Sequence, residues 1–135
     1  MKRGNFAYIG ILFLFILVIA GIFWISSRAE STKFTIEISP SGFSPSTIEI
    51  PKGSRVTFVN RDATEHWPAS NVHPTHQEYP NSGIDKCGTS QQSEIFDSCE
   101  GLKSQQTYSF VFNEIGTWNY HDHLHPDFQG KIIVK

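Results

Sequence analysis

Six histidines are the residues of this chain whose type and spacing best suit a chemical function. They are His66, His73, His76, His121, His123 and His125. Imidazole is the protein ligand that borderline transition metals bind most often. In an extended strand His121 and His123 project from one face and Asp122 from the other, so the pair offers two ligands side by side. The group predicts a metal site, although a loop histidine such as His73 or His76, taken alone, is also typical of a surface or hydrogen-bonded residue.

Enzyme motifs give no comparable signal. The sequence contains no Gly-rich phosphate loop, no Gly-x-Ser-x-Gly and no His-Glu-x-x-His. Its acidic residues are scattered, and no pair of them is marked as a general acid and base. We therefore expect a metal-binding protein rather than an enzyme.

The histidines must be positioned by short strands. Polar and apolar residues alternate over 33–38, 47–50, 55–60, 107–112, 117–120 and 131–134. Turn residues separate these segments, and none of them has a helical period. The pattern predicts an all-β domain over 33–135, folded as an antiparallel Greek-key sandwich. A long insertion at 63–106, rich in Pro, Gly, Ser and Asn, interrupts the rhythm, and loops of that length are usually functional.

An N-terminal apolar segment precedes this domain. Residues 6–25 carry no charge, and as a helix of about 1.5 Å per residue they would span roughly 30 Å, the thickness of a bilayer core. Lys2 and Arg3 come before the segment, which favours a cytoplasmic N-terminus at 1–5, a transmembrane signal-anchor at 6–25 and a tether at 26–32. Cleavage as a signal peptide near Ser27 is the alternative, and both versions export the domain. The chain has a formal charge of −2 and no basic run, so we expect no nucleic-acid partner.

Export would place the two cysteines in a compartment where disulfides form. Cys87 and Cys99 lie in the insertion, and two cysteines outside the cytoplasm most often form a disulfide. The alternative is a pair of thiolate metal ligands. Their neighbours are polar loop residues without a nearby histidine, so we predict the disulfide.

Two segments resemble the cupredoxins, the copper-binding sandwich family of the plastocyanin and amicyanin type. Segment 42–62 reads GFSPSTIEIPKGSRVTFVNRD, and segment 116–134 reads GTWNYHDHLHPDFQGKIIV. The resemblance implies a cupredoxin-like fold and copper as the cofactor. It places the two family histidines on His66 and His125. The family cysteine falls on Asp122 and its axial methionine falls on or beside Phe128, so both sulfur ligands are missing.

Two ligand sets follow from this partial match. In the inherited register His66, Asp122 and His125 hold the metal. In a rearranged site His66 joins His121 and His123, and the insertion supplies His73 or His76. Either set suits a colourless, type-2-like Cu(II) site, and the ligand types alone leave zinc open.

The resulting hypothesis is a membrane-anchored copper-binding domain on the extracytoplasmic side of the membrane. Its role would be one-electron transfer or copper handling, with an unidentified redox or copper-trafficking protein as partner. The resemblance favours electron transfer, whereas the missing sulfur ligands favour copper handling. The alternatives are a metal-free β-sandwich binding module and a small copper enzyme acting on oxygen species.

Overall fold

Eight short strands form in the computed structural model, which describes residues 32–135. Each segment with alternating polarity becomes a strand, because burying one face removes its apolar side chains from water. Two further strands, Gly42–Ser44 and Pro68–Ser70, are only three residues long and have no such pattern. The strands are β1 Lys33–Ser39, β2 Gly42–Ser44, β3 Thr47–Ile50, β4 Ser54–Asn60, β5 Pro68–Ser70, β6 Thr107–Phe112, β7 Gly116–Asp122 and β8 Gln129–Val134.

The strands form two four-stranded sheets. The first has the order β2-β1-β4-β6, and the second has the order β3-β8-β7-β5. This confirms the all-β sandwich. The expectation that it is wholly antiparallel is wrong, because β1 pairs with β4 and β3 pairs with β8 in parallel. Between β1 and β4 the chain passes through β3 in the other sheet, so it re-enters the first sheet in its original direction.

An aromatic core fills the space between the sheets. Tyr120 of β7 packs edge-on against Phe58 of β4 and Phe43 of β2, with ring centroids 5.3 and 4.8 Å apart. Phe96 from the insertion is fully buried and stacks on Phe58 at 5.8 Å. The insertion therefore contributes to the core and is held against the sandwich.

The insertion at 63–106 is structured. It contains β5 and two 3₁₀ turns, Ile84–Lys86 and Gln92–Glu94. Cys87 and Cys99 form the predicted disulfide, with Cα atoms 5.4 Å apart. The prediction of a disulfide is confirmed, and the alternative of two thiolate ligands is wrong.

The N-terminal predictions concern another part of the chain. The cytoplasmic segment 1–5, the span 6–25 and all but the last residue of the tether 26–32 lie outside the described residues. Within residues 32–135, the structure contains no helix with the length and apolar character that a membrane crossing requires.

Candidate metal centre

The end of β7 separates the histidines into two groups. Strand alternation sends His121 to one side of β7 and Asp122 to the other, while β5 pairs Ala69 with His121 and Pro68 with Asp122. The groups are His73, His76, His121 and His123, which we name the four-histidine centre, and His66, Asp122 and His125, which we name the His66 cluster.

The four-histidine centre gathers four imidazole nitrogens around one point. Each ring contributes one nitrogen, and the four nitrogens all lie within 4.8 Å of one another. His73 Nδ1 is 3.2 Å from His121 Nε2, and His76 Nε2 is 2.9 Å from His123 Nδ1. Metal–imidazole bonds of about 2.0–2.1 Å put ligand nitrogens about 3–4 Å apart around a shared ion. The donor set therefore fits a transition-metal ion.

The outward-facing nitrogens of two rings have fixed partners. His76 Nδ1 lies 2.5 Å from Asp97 Oδ2, and His121 Nδ1 lies 2.9 Å from Asn71 Oδ1. Both partners are oxygen acceptors, so each Nδ1 donates its hydrogen outward and each Nε2 directs a lone pair inward. Carboxylate or carbonyl partners of this kind orient histidine ligands in metal sites and make them better donors.

Asp97 connects the centre to the insertion. This buried carboxylate also accepts hydrogen bonds at Oδ1 from the Trp67 indole, at 2.6 Å, and from the Cys99 N–H, at 2.8 Å. The Trp67 ring lies against His123, with centroids 4.6 Å apart. The disulfide loop thus fixes the carboxylate that orients His76, and the indole covers one side of the centre.

Burial keeps His121 and His123 of the centre neutral. His76 and His121 are buried, His123 is half-buried and His73 is exposed. Burial, together with the three neighbouring imidazoles, lowers the pKa of His121 to about 4. Burial likewise lowers the pKa of His123. At neutral pH these two rings are uncharged, and their lone pairs are available to a metal.

In the His66 cluster three of the four ring nitrogens already have carboxylate partners. His66 Nδ1 lies 2.5 Å from Asp122 Oδ2, and its Nε2 lies 3.0 Å from Asp62 Oδ2. His125 Nδ1 lies 2.9 Å from the same Asp122 oxygen. Both nitrogens of His66 therefore have carboxylate partners, and a metal among the three residues would have to replace the hydrogen bonds of the two Nδ1 atoms to Asp122.

Asp122 is the centre of that cluster. Its Oδ1 accepts hydrogen bonds from the N–H groups of Trp67 and Leu124, at 2.8 and 3.0 Å. Burial by itself would raise the pKa of Asp122, but these bonds and those to His66 and His125 outweigh it and lower the pKa. The carboxylate is ionised and satisfied by donors of the protein itself.

The structure brings together every predicted ligand, but in two places. The inherited set is adjacent, as His66, Asp122 and His125. The rearranged set does not form as expected, because His66 lies with Asp122 on the far side of β7 and not with His121 and His123. The insertion instead supplies His73 and His76 to the four-histidine centre, and its third histidine, His66, to the other cluster.

The Phe128 ring packs against one side of the His66 cluster. Its ring stacks on His66 and His125, with centroids 5.9 and 5.6 Å apart. It occupies the place that the resemblance gives to a methionine and offers no ligand atom. The sole methionine of the chain is Met1. Within the described residues, neither group contains a sulfur ligand.

Asp97 and Asn71 are the residues of this candidate site that the sequence did not reveal. Neither belongs to a metal-ligand spacing. The only available signal for Asp97 was its position two residues before a disulfide cysteine, and Asn71 carried none.

Comparison with known proteins is consistent with this fold. A family model described as a cupredoxin-like domain matches residues 12–134. Amicyanin-alpha of Methylorubrum extorquens is 30% identical over 118 residues, which cover 86% of this chain and 83% of the relative. Amicyanin of Paracoccus denitrificans is 27% identical over 100 residues, covering 74% of this chain and 63% of the relative. The purple cupredoxin of Nitrosopumilus maritimus superposes with a TM-score of 0.57 at 24% identity, covering 76% of this chain and 99% of that one.

Proposed function

The chain belongs to the cupredoxin-like family, and on that premise we propose that it binds one copper ion in the four-histidine centre and serves in one-electron transfer. His73, His76, His121 and His123 would hold the ion. With imidazole ligands and no thiolate, the copper would be a colourless, type-2-like centre that supplies a Cu(II)/Cu(I) couple. The observation that carries the proposal is the inward orientation of these four nitrogens, two of them fixed from behind by Asp97 and Asn71.

The four-histidine centre suits the ion better than the His66 cluster does. In the cluster, His66 Nδ1 and His125 Nδ1 both face Asp122 Oδ2, so a metal there would have three ligand residues and would replace two hydrogen bonds to a buried carboxylate. In the centre the inner nitrogens contact only one another among the described residues. Copper binding there would replace weak imidazole–imidazole contacts and keep both outer hydrogen bonds.

The neighbouring residues prepare the site. Asp97 and Asn71 hold His76 and His121 in the tautomers that present Nε2, and Trp67 keeps water from one side of His123. Rigid ligands change little between oxidation states, which is what electron transfer requires. Copper handling is a second candidate, favoured by one observation: His73 is exposed.

We further propose that residues 6–25 anchor the chain and that the domain lies on the extracytoplasmic side of the membrane, or is secreted if the segment is cleaved. The Cys87–Cys99 disulfide supports an oxidising compartment. The partner would be a redox or copper-trafficking protein of the same compartment.

A copper titration of the full chain in detergent tests the proposal. We expect one equivalent of Cu(II), with a paramagnetic resonance spectrum showing several nitrogen ligands and with no intense thiolate charge-transfer band. His76→Ala should abolish tight binding, and His66→Ala, the matched control in the other group, should retain it. The reverse result would move the metal to the His66 cluster.

Two further results of the same titration select other functions. No copper binding by the unmodified chain would favour a metal-free binding module, and preference for Zn(II) in direct competition would overturn copper. For the role, a reversible potential with fast self-exchange supports electron transfer. A reversible potential with slow self-exchange would favour copper handling, and catalytic consumption of superoxide or peroxide would favour a small copper enzyme.

A further inference from the structure

His73 differs from the other three histidines of the centre. It is exposed, and within residues 32–135 its Nε2 has no hydrogen-bond partner. Its contacts are within the centre: its Nδ1 lies 3.2 Å from His121 Nε2, and its ring lies against His123 with centroids 4.8 Å apart. Nothing in the described structure holds this ring from behind.

The other three rings are each held by a second contact. His76 is bonded to Asp97, and its backbone N–H donates to the Val72 carbonyl at 2.7 Å. His121 is bonded to Asn71. His123 packs on the Trp67 ring, and its N–H donates to the Trp67 carbonyl at 2.7 Å. Three ligands are therefore preorganised, and the fourth is free to turn away.

We propose that His73 is an exchangeable ligand, and that its coordination position is where an external imidazole-type donor binds the copper ion. This inference rests on the proposed copper site and adds to it the place of entry and exit. In the exchange one metal–nitrogen bond to His73 breaks and one to the incoming nitrogen forms. No proton moves and the oxidation state is unchanged, because both donors are neutral.

Exposure supports this position over the others. The incoming donor must approach from solvent, and the other three ligands are covered by the protein to a greater degree. Val72, next to His73, is 61% exposed, and Leu124, next to His123, is 45% exposed. An incoming imidazole therefore meets accessible apolar surface beside the open position.

The test compares copper-loaded full-length variants. His73→Ala should still bind one Cu(II). Its affinity loss should be no larger than the loss of about 10- to 100-fold that removal of a residue supporting a metal ligand typically causes. Added ¹⁵N-imidazole should restore the spectrum of the unmodified protein and place an exogenous nitrogen on the copper. Copper transfer to EDTA should be faster by about tenfold or more, since affinity differences act mainly through dissociation. His125→Ala, which removes a partly exposed histidine of the other group, should change neither the copper affinity nor the rate of copper transfer to EDTA.

The outcomes separate this inference from the proposed function. If the unmodified chain binds no copper, the proposed site itself fails. If the unmodified chain binds copper but His73→Ala loses it as fully as His76→Ala, with no rescue by imidazole, only the exchange role of His73 is overturned. A measurement on the unmodified protein guards against a folding defect: titrated ¹⁵N-imidazole should displace one protein nitrogen at unchanged copper stoichiometry. Absence of a ternary complex there would also refute the inference.

Discussion

The Asp97→Asn substitution perturbs the centre without changing its shape. Asn at this position should keep its carbonyl oxygen on Trp67 and Cys99, because the opposite orientation would lose two hydrogen bonds instead of one. The amide NH₂ then faces His76 Nδ1, where Asp97 Oδ2 lay at 2.5 Å. A ring nitrogen that faces a donor must accept, so the proton of His76 moves to Nε2, the atom that faces the metal.

The cost of this change falls on the metal-bound state. Copper requires a lone pair on His76 Nε2, so in the bound state the ring proton must return to Nδ1. There the N–H group faces the hydrogens of the introduced amide and has no acceptor. The bound state thus loses one charge-assisted hydrogen bond, which is about 1.5–3 kcal/mol. That loss corresponds to an affinity about 10- to 150-fold weaker.

Competition titration with a chelator of known copper affinity measures this loss at pH 7. The matched control is Asp62→Asn, which alters the carboxylate beside His66 and should leave copper affinity unchanged. Near-ultraviolet circular dichroism establishes that both variants are folded. Unchanged affinity in Asp97→Asn, or an equal loss in Asp62→Asn, would refute the reasoning that Asp97 orients a copper ligand.

Three further predictions concern stability and its link to the site. Replacing Cys87 and Cys99 together by Ser should lower the free energy of unfolding by about 3 kcal/mol for this short loop, and should weaken copper binding because Asp97 loses a fixed donor. Urea denaturation measures the stability and copper titration measures the affinity. An unaltered copper affinity would show that the loop does not support the site. The Tyr120 hydroxyl is buried without a partner among the described residues, and burial raises its pKa, so the contribution of this group to stability should be constant below about pH 10 and fall above it. Tyr120→Phe should raise the free energy of unfolding by about 1 kcal/mol and should reduce its loss at alkaline pH. Urea denaturation of both proteins at a series of pH values from 8 upward measures this, and an equal decline in the two would contradict it. Gly130→Ala should cost about 1–3 kcal/mol because its Cβ would overlap the Tyr120 ring, and an unshifted thermal midpoint would contradict that packing.

The sandwich was predictable because strand alternation is a local signal. Segment 107–112, for example, alternates exposed Thr and Ser with buried Phe, and this pattern alone specifies which face packs inward. The parallel pairing of β1 with β4 was not predictable, since it depends on a crossing of the chain to the other sheet. The short strand Pro68–Ser70 forms by pairing with β7 on one side and bridging to Asp97 on the other, and it has no signal of its own.

The site was predictable in its residue types and less so in its arrangement. The alternation of His121, Asp122 and His123 correctly separated two faces. The side on which His66 lies depends on a tertiary contact with Asp122, 56 positions along the chain, which no local pattern encodes. Asp97 reaches His76 because a disulfide and the buried Phe96 fix the loop, and that constraint is also non-local.

Copper located by anomalous scattering in crystals of the copper-loaded protein is the most direct test of the central claim. The account predicts one copper peak among the inner nitrogens of His73, His76, His121 and His123, with Asp97 and Asn71 still bonded to the outer nitrogens. A copper peak at His66, Asp122 and His125 instead, or a metal bound through sulfur, would contradict it.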